Sequence, residues 1–284
     1  MSVDLPIGIF DSGVGGLTVL KRLMETLPNE NFIYFGDTAR VPYGSKSKDT
    51  INLFAVEATK FLISHKIKMV VVACNSASSN SIGILKKRFQ IPIIGVISPS
   101  ALSATQCSIS GKIGVIGTYA TIQSGAYLRM LNSKGLQIFQ QACPLFVPLV
   151  EEGLLDHPAT ELIGEEYLAP LKKFDVDTLI LGCTHYPILK PLIQKIMGNN
   201  ILLIDPAIET AKTVKEFMLK TRINSLRKGN GIIKYFVSDY PRNFNKIANI
   251  FLGMSIKKVT TINIEEYSNK IMEQKFAQKR SKKR

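Results

Sequence analysis

Cysteine, histidine and tryptophan are scarce in this 284-residue chain, which has four cysteines, three histidines and no tryptophan. The cysteines, at positions 74, 107, 143 and 183, form no Cys-x-x-Cys pair. A zinc ribbon needs ligands paired at short spacing, and a disulfide framework packs more cysteines into a shorter chain. The pattern therefore argues against both, and we expect reduced thiols and no bound metal.

Long apolar runs are also missing. Gly and Pro interrupt the apolar stretch at residues 91–97, and no run approaches the roughly 18 residues that a membrane-spanning helix needs. The N-terminus carries Asp4 and has no basic region before its first apolar stretch, so no signal peptide is indicated. The sequence predicts a cytoplasmic protein without a membrane partner.

The glycine-rich turn at residues 11–16 lacks the marks of a nucleotide site. A dinucleotide fingerprint would place a third glycine at position 18, where Thr18 stands, and the Gly-Lys pair of a P-loop is absent. Asp11 at the mouth of the turn would also repel phosphate. We therefore expect no nucleotide cofactor, and favour a turn whose backbone N–H groups meet a carboxylate.

Basic residues outnumber acidic ones by 36 to 22, which gives a formal charge of +14. Six basic and no acidic residues fall in the last eleven positions, 274–284. We expect residues 265–284 to form a disordered, solvated tail, and contact of this tail with nucleic acid or an anionic membrane is the less favoured alternative. The positive charge would also attract an anionic small substrate.

Two strand patterns end in a cysteine with polar neighbours. The apolar runs at residues 70–73 and 179–182 indicate buried parallel strands. The polar residues that follow them are Cys74, Asn75 and Ser76 in the first case and Cys183, Thr184 and His185 in the second. Since ligands bind at the carboxyl ends of strands in open α/β sheets, both thiols are predicted to face a ligand site.

Each thiol strand is preceded by a matching strand, at residues 7–12 and 113–118. Cys74 follows Asp11 by 63 residues, and Cys183 follows Gly117 by 66. This near agreement indicates a degenerate duplication of an α/β unit, and it would place the two thiols across a cleft from each other.

Strands and helices alternate along the whole chain. The predicted fold class is α/β, with two pseudo-symmetric domains, each a mostly parallel sheet flanked by helices, and an active site in the cleft between them. The first domain is predicted to be discontinuous, with residues 1–97 plus 208–264. The second is predicted at 98–207, with Ser-Pro-Ser at 98–100 as the crossing.

Three kinds of site fit two facing thiols. A zinc site could use Cys74, Cys183, His185 and Asp11, although their spacing matches no common ligand pattern. A redox disulfide would need the two sulfurs about 2 Å apart. In two-base proton transfer, thiols on opposite faces of a carbon would exchange its hydrogen and invert the centre.

A thiol with a pKa near 8.5 needs a nearby base, cation or helix N-terminus to act as a base at neutral pH. His185 and Asp11 are the candidate partners. Cys107 and Cys143 have no such neighbours and are interpreted as small buried hydrophobes.

Five stretches of the chain resemble the glutamate racemases of the aspartate/glutamate racemase superfamily. They are GIFDSGVGGL (8–17), GDTARVPYG (36–44), ACN (73–75), CPLFVPLVE (143–151) and LGCTHYP (181–187). The resemblance covers residues 7–264, nearly everything but the tail.

The resemblance implies cofactor-independent interconversion of L- and D-glutamate, with D-glutamate supplied for peptidoglycan. Its implied catalytic residues are Cys74 and Cys183 as the acid/base pair, assisted by Asp11 and His185, and Glu151 is a further candidate aid. The implied substrate contacts are Asp11, Ser12, Tyr43, Gly44, Asn75, Ser76, Thr184 and His185.

A homodimer is the expected assembly, and glutamate is the expected small-molecule partner. Two alternatives stay open. Aspartate racemase of the same superfamily differs by one methylene in its substrate. A non-catalytic binding protein with a nucleic-acid-contacting tail would use the same cleft without turnover.

Overall fold

The computed structural model describes residues 3–132, 135–240 and 244–267. Across these residues, the strands form two sheets in which all pairs are parallel. Helices flank both sheets, which confirms the predicted fold class. No helix in the described part of the chain is long and apolar enough to cross a membrane.

The first stretch of the chain builds four strands and the helices that follow them. Its elements are β1 (Ile7–Asp11), α1 (Leu17–Thr26), β2 (Phe32–Gly36), α2 (Lys48–Ser64), β3 (Met69–Val72), α3 (Asn75–Arg88), β4 (Ile93–Gly95) and α4 (Ile97–Cys107). Every residue of β1, β2 and β3 is buried. Continuous apolar runs form such strands because a parallel sheet is covered by helices on both faces.

The middle of the chain builds the second sheet, and the last part returns to the first. The middle elements are β5 (Lys112–Gly117), α5 (Tyr119–Gln123), α6 (Ala126–Asn132), β6 (Gln137–Ala142), α7 (Phe146–Glu151), α8 (Pro158–Lys172), β7 (Thr178–Gly182), α9 (Lys190–Met197) and β8 (Leu202–Ile204). The returning elements are α10 (Pro206–Thr221), β9 (Ile233–Val237), α11 (Phe244–Leu252) and β10 (Val259–Thr261).

The two sheets share a common strand order. The first runs β10-β9-β2-β1-β3-β4 and the second β6-β5-β7-β8. Four strands of the first sheet therefore repeat the order of the second, as expected for a duplicated unit, and β9 and β10 extend its edge. The first sheet is built from two separated stretches of chain, while the residue limits of the domains stay a prediction.

The link between the two sheets is helical. Residues 98–100, where the sequence predicts the crossing between domains, lie inside α4. Pro99 is compatible with the helix because it stands in the first turn, where its missing N–H has no partner to lose. Helices α5 and α6 are separated at Gly125, whose φ is +63°.

The folded part of the chain extends past the predicted limit at residue 264. Ile264 is buried, and the Tyr267 ring lies 5.2 Å from the Phe61 ring in an edge-on contact. Tyr267 thus packs against Phe61 of α2, while Glu265 and Glu266 are exposed. The rest of the predicted tail, 268–284, lies outside the described residues.

Candidate active site

The two cysteines that follow β3 and β7 line one cavity. Cys74 follows β3 and caps the N-terminus of α3, and Cys183 follows β7 directly. A cavity of about 360 Å³ between the two sheets is lined by both residues. Their exposed fractions are only 5% and 6%, so each thiol is nearly enclosed. Two half-sites therefore contribute one thiol each to a shared cavity in which both have little exposure to solvent.

Most of the residues proposed from the sequence line this cavity. They are Ser12, Tyr43, Gly44, Cys74, Asn75, Ser76, Cys183, Thr184 and His185, together with Glu151. Asp11 is fully buried and is not among the lining residues. The structure therefore places Asp11 behind the cavity wall, and its direct contact with a substrate stays a prediction.

Cys183 lies at one end of a short chain of polar groups. Its sulfur is 3.8 Å from Nδ1 of His185, and Nε2 of His185 is 2.8 Å from Oε1 of Glu151. Burial lowers the pKa of His185, but the hydrogen bonds and charges of Cys183 and Glu151 outweigh it and raise this pKa to about 10. These contacts favour the protonated imidazole, whose positive charge would face the Cys183 sulfur.

Cys74 has a different environment. Burial and the nearby Asp11 carboxylate raise the pKa of Cys74 to about 12, although hydrogen bonds from the Ser12 side chain and the Ala77 N–H oppose the rise. This thiol therefore holds its proton at neutral pH. Burial also raises the pKa of Asp11, against the lowering effects of the Gly13 N–H and the charge of His185.

The glycine-rich turn after β1 holds Asp11 and approaches the second half-site. Gly13 donates its N–H to Oδ2 of Asp11 at 2.9 Å, so the carboxylate that meets this turn belongs to the chain itself. Gly15 lies so close to the other half that a Cβ there would come within 2.2 Å of Oγ1 of Thr184. Thr18 adds a hydrogen bond to the Thr184 carbonyl at 3.2 Å. The turn thus fixes one half-site against the other.

Comparison with known proteins identifies the family to which this chain belongs. The family model for Asp/Glu/hydantoin racemases matches residues 7–214, which include both thiols and the polar residues around them. The chain belongs to the Asp/Glu/hydantoin racemase family.

Relatives in this family are similar over nearly their whole length. The glutamate racemase of Chlorobaculum tepidum is 46% identical over 265 residues, covering 92% of this chain and 97% of the relative. The glutamate racemase of Geobacter metallireducens is 46% identical over 261 residues, covering 91% and 97%.

Solved racemase structures share the fold. Glutamate racemase from Francisella tularensis, in complex with D-glutamate, has a TM-score of 0.88 and 37% identity, covering 93% of this chain and 100% of that one. The Thermus thermophilus enzyme, in complex with β-chloro-D-alanine, has a TM-score of 0.85 and 42% identity, covering 94% and 100%. The two-sheet arrangement is therefore that of a racemase.

The zinc and disulfide alternatives for the thiol pair find no match in the structure. The described residues contain no cluster of three or more His, Cys, Asp or Glu side chains that could hold a metal ion. All four cysteines are free thiols. Cys107 is exposed, against the expectation that it is buried, and Cys143 is buried as expected.

Sequence reasoning missed several residues of this racemase cavity. Thr118, Tyr119, Pro144, Val147 and Pro148 line it without having been proposed. The duplication held a signal for Thr118, because this residue follows β5 where the matching position after β1 is Ser12. Its hydroxyl lies 2.9 Å from the Ser76 hydroxyl and links the two halves. The other four come from loop and helix packing, which strand patterns do not reveal.

Tyr43 lines the cavity, and its side chain is anchored by a hydrogen bond. The hydroxyl donates to Oδ2 of Asp37, and Arg40 donates to the same oxygen at 2.7 Å. The buried Tyr43 side chain is therefore held in place by a carboxylate that is itself paired.

Proposed function

We propose that this racemase interconverts L- and D-glutamate by passing the α-proton between Cys74 and Cys183. The observation that carries the proposal is that one thiol from each half-site lines a single cavity, with its own set of polar partners. Relatives named glutamate racemase, at 46% identity over more than nine-tenths of the chain, support glutamate as the substrate.

The proposed reaction needs one proton acceptor and one proton donor on opposite faces of the substrate carbon. The thiolate of one cysteine removes the α-hydrogen as a proton, and the electron pair of the broken C–H bond passes to the substrate carboxylate. The thiol of the other cysteine then delivers its proton to the opposite face. The product has inverted configuration, and the enzyme is left with its two protonation states exchanged.

The two thiols have surroundings suited to different starting roles. Nδ1 of His185 lies 3.8 Å from the Cys183 sulfur, where the imidazole can exchange a proton with this group, so we assign Cys183 as the base for L-glutamate. The raised pKa of Cys74 keeps it a thiol, ready to donate. In the reverse direction Cys74 must give up its proton first, and Asp11, whose own pKa is raised, is the proposed acceptor close to it.

The cavity offers hydrogen-bond donors to an anionic substrate. Helix α3 begins at Asn75, and Asn75 and Ser76 of its first turn line the cavity, so the positive end of the helix dipole lies at the cavity wall. Preorganised donors of this kind stabilise the charge that develops when a weakly acidic α-hydrogen is removed. The hydroxyls of Ser12, Thr118 and Thr184 add further polar groups to the wall.

The biological setting follows from this reaction. We propose that the enzyme works in the cytoplasm, without a cofactor, as a homodimer, and supplies D-glutamate for peptidoglycan.

Steady-state kinetics with each enantiomer of glutamate and of aspartate test the substrate assignment. The proposal predicts racemisation of both glutamate enantiomers without added cofactor, with kcat/KM at least tenfold above that for aspartate, because a missing methylene costs about 1–3 kcal/mol of binding. Faster turnover of aspartate would identify the other racemase of the superfamily. Tight binding of glutamate without any turnover would support the non-catalytic alternative.

A further inference from the structure

A buried chain of polar side chains runs behind the cavity wall. The Tyr127 hydroxyl donates to Oδ1 of Asn75 at 3.0 Å and lies 3.1 Å from the Ser100 hydroxyl. Ser100 in turn donates to the Val96 carbonyl at 2.6 Å. Tyr127 and Ser100 have no exposed surface, and Asn75 has 3%. These side chains belong to α6, α4 and α3, so the chain connects elements on both sides of the cleft.

Among these three side chains, Tyr127 contacts the segments that carry both cysteines. Its hydroxyl meets Asn75, the residue after Cys74. Its ring lies against Gly182, the residue before Cys183, where an added Cβ would come within 3.3 Å of Cε2 of Tyr127. Tyr127 itself is not among the cavity-lining residues. It therefore acts on the site through its neighbours.

In the side-chain amide of Asn75, the oxygen has a hydrogen-bond partner and the nitrogen has none among the described residues. Oδ1 accepts from Tyr127, whereas Nδ2 is buried and has no hydrogen-bond partner among the described residues. Asn75 lines the cavity. A buried N–H without an acceptor is unfavourable, so Nδ2 of Asn75 is available to donate to an acceptor on a ligand in the cavity.

The hydrogen of the Tyr127 hydroxyl decides which half of the amide is free. A hydroxyl has one hydrogen, and the hydrogen of Ser100 is directed to the Val96 carbonyl. If Tyr127 donated to Ser100 instead, Asn75 would turn by 180° and donate to Tyr127, which would leave its oxygen free. An amide oxygen repels a carboxylate, whereas an amide N–H binds one.

We propose that Tyr127 is a positioning residue that holds Asn75 with its N–H group toward a carboxylate of the substrate. This inference rests on the proposed function. Tyr127 does not touch the reacting atoms, so its removal should weaken substrate binding and leave proton transfer largely intact.

Kinetics of a double-mutant cycle test this role. Tyr127→Phe keeps the ring and removes the hydroxyl, and we expect KM for both glutamate enantiomers to rise about three- to tenfold, with kcat changed less than about twofold. In an Asn75→Ala background the same change should have no further effect on KM, because the amide that Tyr127 positions is gone. Tyr235→Phe, which removes a half-buried hydroxyl from β9, is the matched control and should leave KM unchanged.

Asn75→Asp tests the inference without altering Tyr127. A carboxylate accepts the hydrogen of Tyr127 but offers no N–H, so KM should rise at least as much as in Asn75→Ala. An unchanged KM in Tyr127→Phe would overturn the inference. It would also be overturned if Tyr127→Phe raised KM by the same factor in the wild type and in the Asn75→Ala variant. Wild-type protein without glutamate racemisation would instead overturn the proposed function, and this inference with it.

Discussion

At the scale of single residues, the contrast between the two thiols is the main feature of the site. Cys183 lies next to the His185 imidazole, which is 2.8 Å from the Glu151 carboxylate, whereas Cys74 is buried close to the Asp11 carboxylate. The two half-sites contribute the same side chain with different neighbours. The proposed two-base reaction would start each half-reaction from one base and one acid, and this difference is suited to it.

The His185–Glu151 pair predicts how stability depends on pH. The pKa of His185 is raised to about 10 in the folded protein, above roughly 6.5 in the unfolded chain. Its stabilising contribution is therefore complete below about pH 6.5 and is lost as the pH rises through about 10. Glu151→Gln removes one cause of the raised pKa, so the free energy of unfolding should fall less between pH 6.5 and 10 than in the wild type.

Urea unfolding at a series of pH values measures this difference. Glu152→Gln, one position along, is the matched control and should follow the wild-type profile. Equal pH dependence in the wild type and Glu151→Gln would contradict the assigned role of Glu151.

At the scale of elements, the glycine turn between β1 and α1 fixes the two half-sites against each other. Gly15→Ala would drive a Cβ to within 2.2 Å of Oγ1 of Thr184 and 2.6 Å of Nδ1 of His185. We expect kcat/KM for glutamate to fall about a hundredfold, because a displacement near 1 Å at a reacting group has that order of effect.

A second glycine serves as the control for this prediction. Gly83 lies in the interior of α3, and a Cβ built there has no heavy atom within 4 Å. Gly83→Ala should stabilise the protein by about 0.5–1 kcal/mol and leave kcat/KM unchanged. Wild-type activity in Gly15→Ala, measured beside this control, would show that the turn does not set the geometry of the site.

Whether an element can be predicted from the sequence depends on its burial and composition. The strands that carry the thiols were predicted because β-branched runs buried on both faces leave a clear pattern. Strand β6 (Gln137–Ala142) was not predicted, since it is a partly exposed edge strand with three glutamine residues. Helix α4 was not predicted, because Ser-Pro-Ser at its start is typical of a break between elements, and only packing shows that Pro99 falls in the first turn of a helix.

The same limit applies within the site. The thiols, His185 and the polar residues after each strand were predicted from their positions at strand ends and from the family resemblance. The Tyr127–Asn75 hydrogen bond joins residues 52 positions apart, and no local pattern indicates it. Side-chain pairing across the cleft depends on the fold being formed, so sequence periodicity does not contain it.

At the scale of the whole molecule, a buried ion pair ties distant parts of the chain to the first sheet. Lys68 donates to Glu30 and to the carbonyls of Val3 at 2.7 Å and Ile223 at 2.9 Å. Lys68 is completely buried and Glu30 nearly so. The pair therefore joins the chain before β1, the start of β2, β3 and the segment after α10.

Removing one member of this pair should destabilise the protein strongly. Lys68→Met leaves the Glu30 carboxylate buried and unpaired, so we expect the free energy of unfolding to fall by about 3–5 kcal/mol. Lys68→Met combined with Glu30→Gln should recover part of the loss, because no uncompensated charge remains. Urea unfolding curves at neutral pH give both values. A loss below about 1 kcal/mol in Lys68→Met would show that the buried pair contributes little to stability.

The basic C-terminus is predicted to be dispensable for racemisation. The described cavity is lined by residues between 12 and 185, so deleting residues 274–284 should leave kcat/KM for glutamate within about twofold of the wild type. Retention on a DNA column at low and high salt should be measured in parallel. Salt-sensitive retention lost with the deletion would support nucleic-acid contact by the tail, and a large loss of kcat/KM would show that the tail contributes to the enzyme.

Single-cysteine variants test whether the two opposed thiols each serve one enantiomer, as proposed above. Cys74→Ser and Cys183→Ser should each nearly abolish racemisation, because each turnover uses both groups and a hydroxyl is a far weaker base at neutral pH. A glutamate analogue with a leaving group at Cβ requires proton abstraction alone, and its elimination can be followed for each enantiomer. We predict that Cys74→Ser processes mainly the L-analogue and Cys183→Ser mainly the D-analogue. A preference of both variants for the same enantiomer would contradict the opposed two-thiol mechanism.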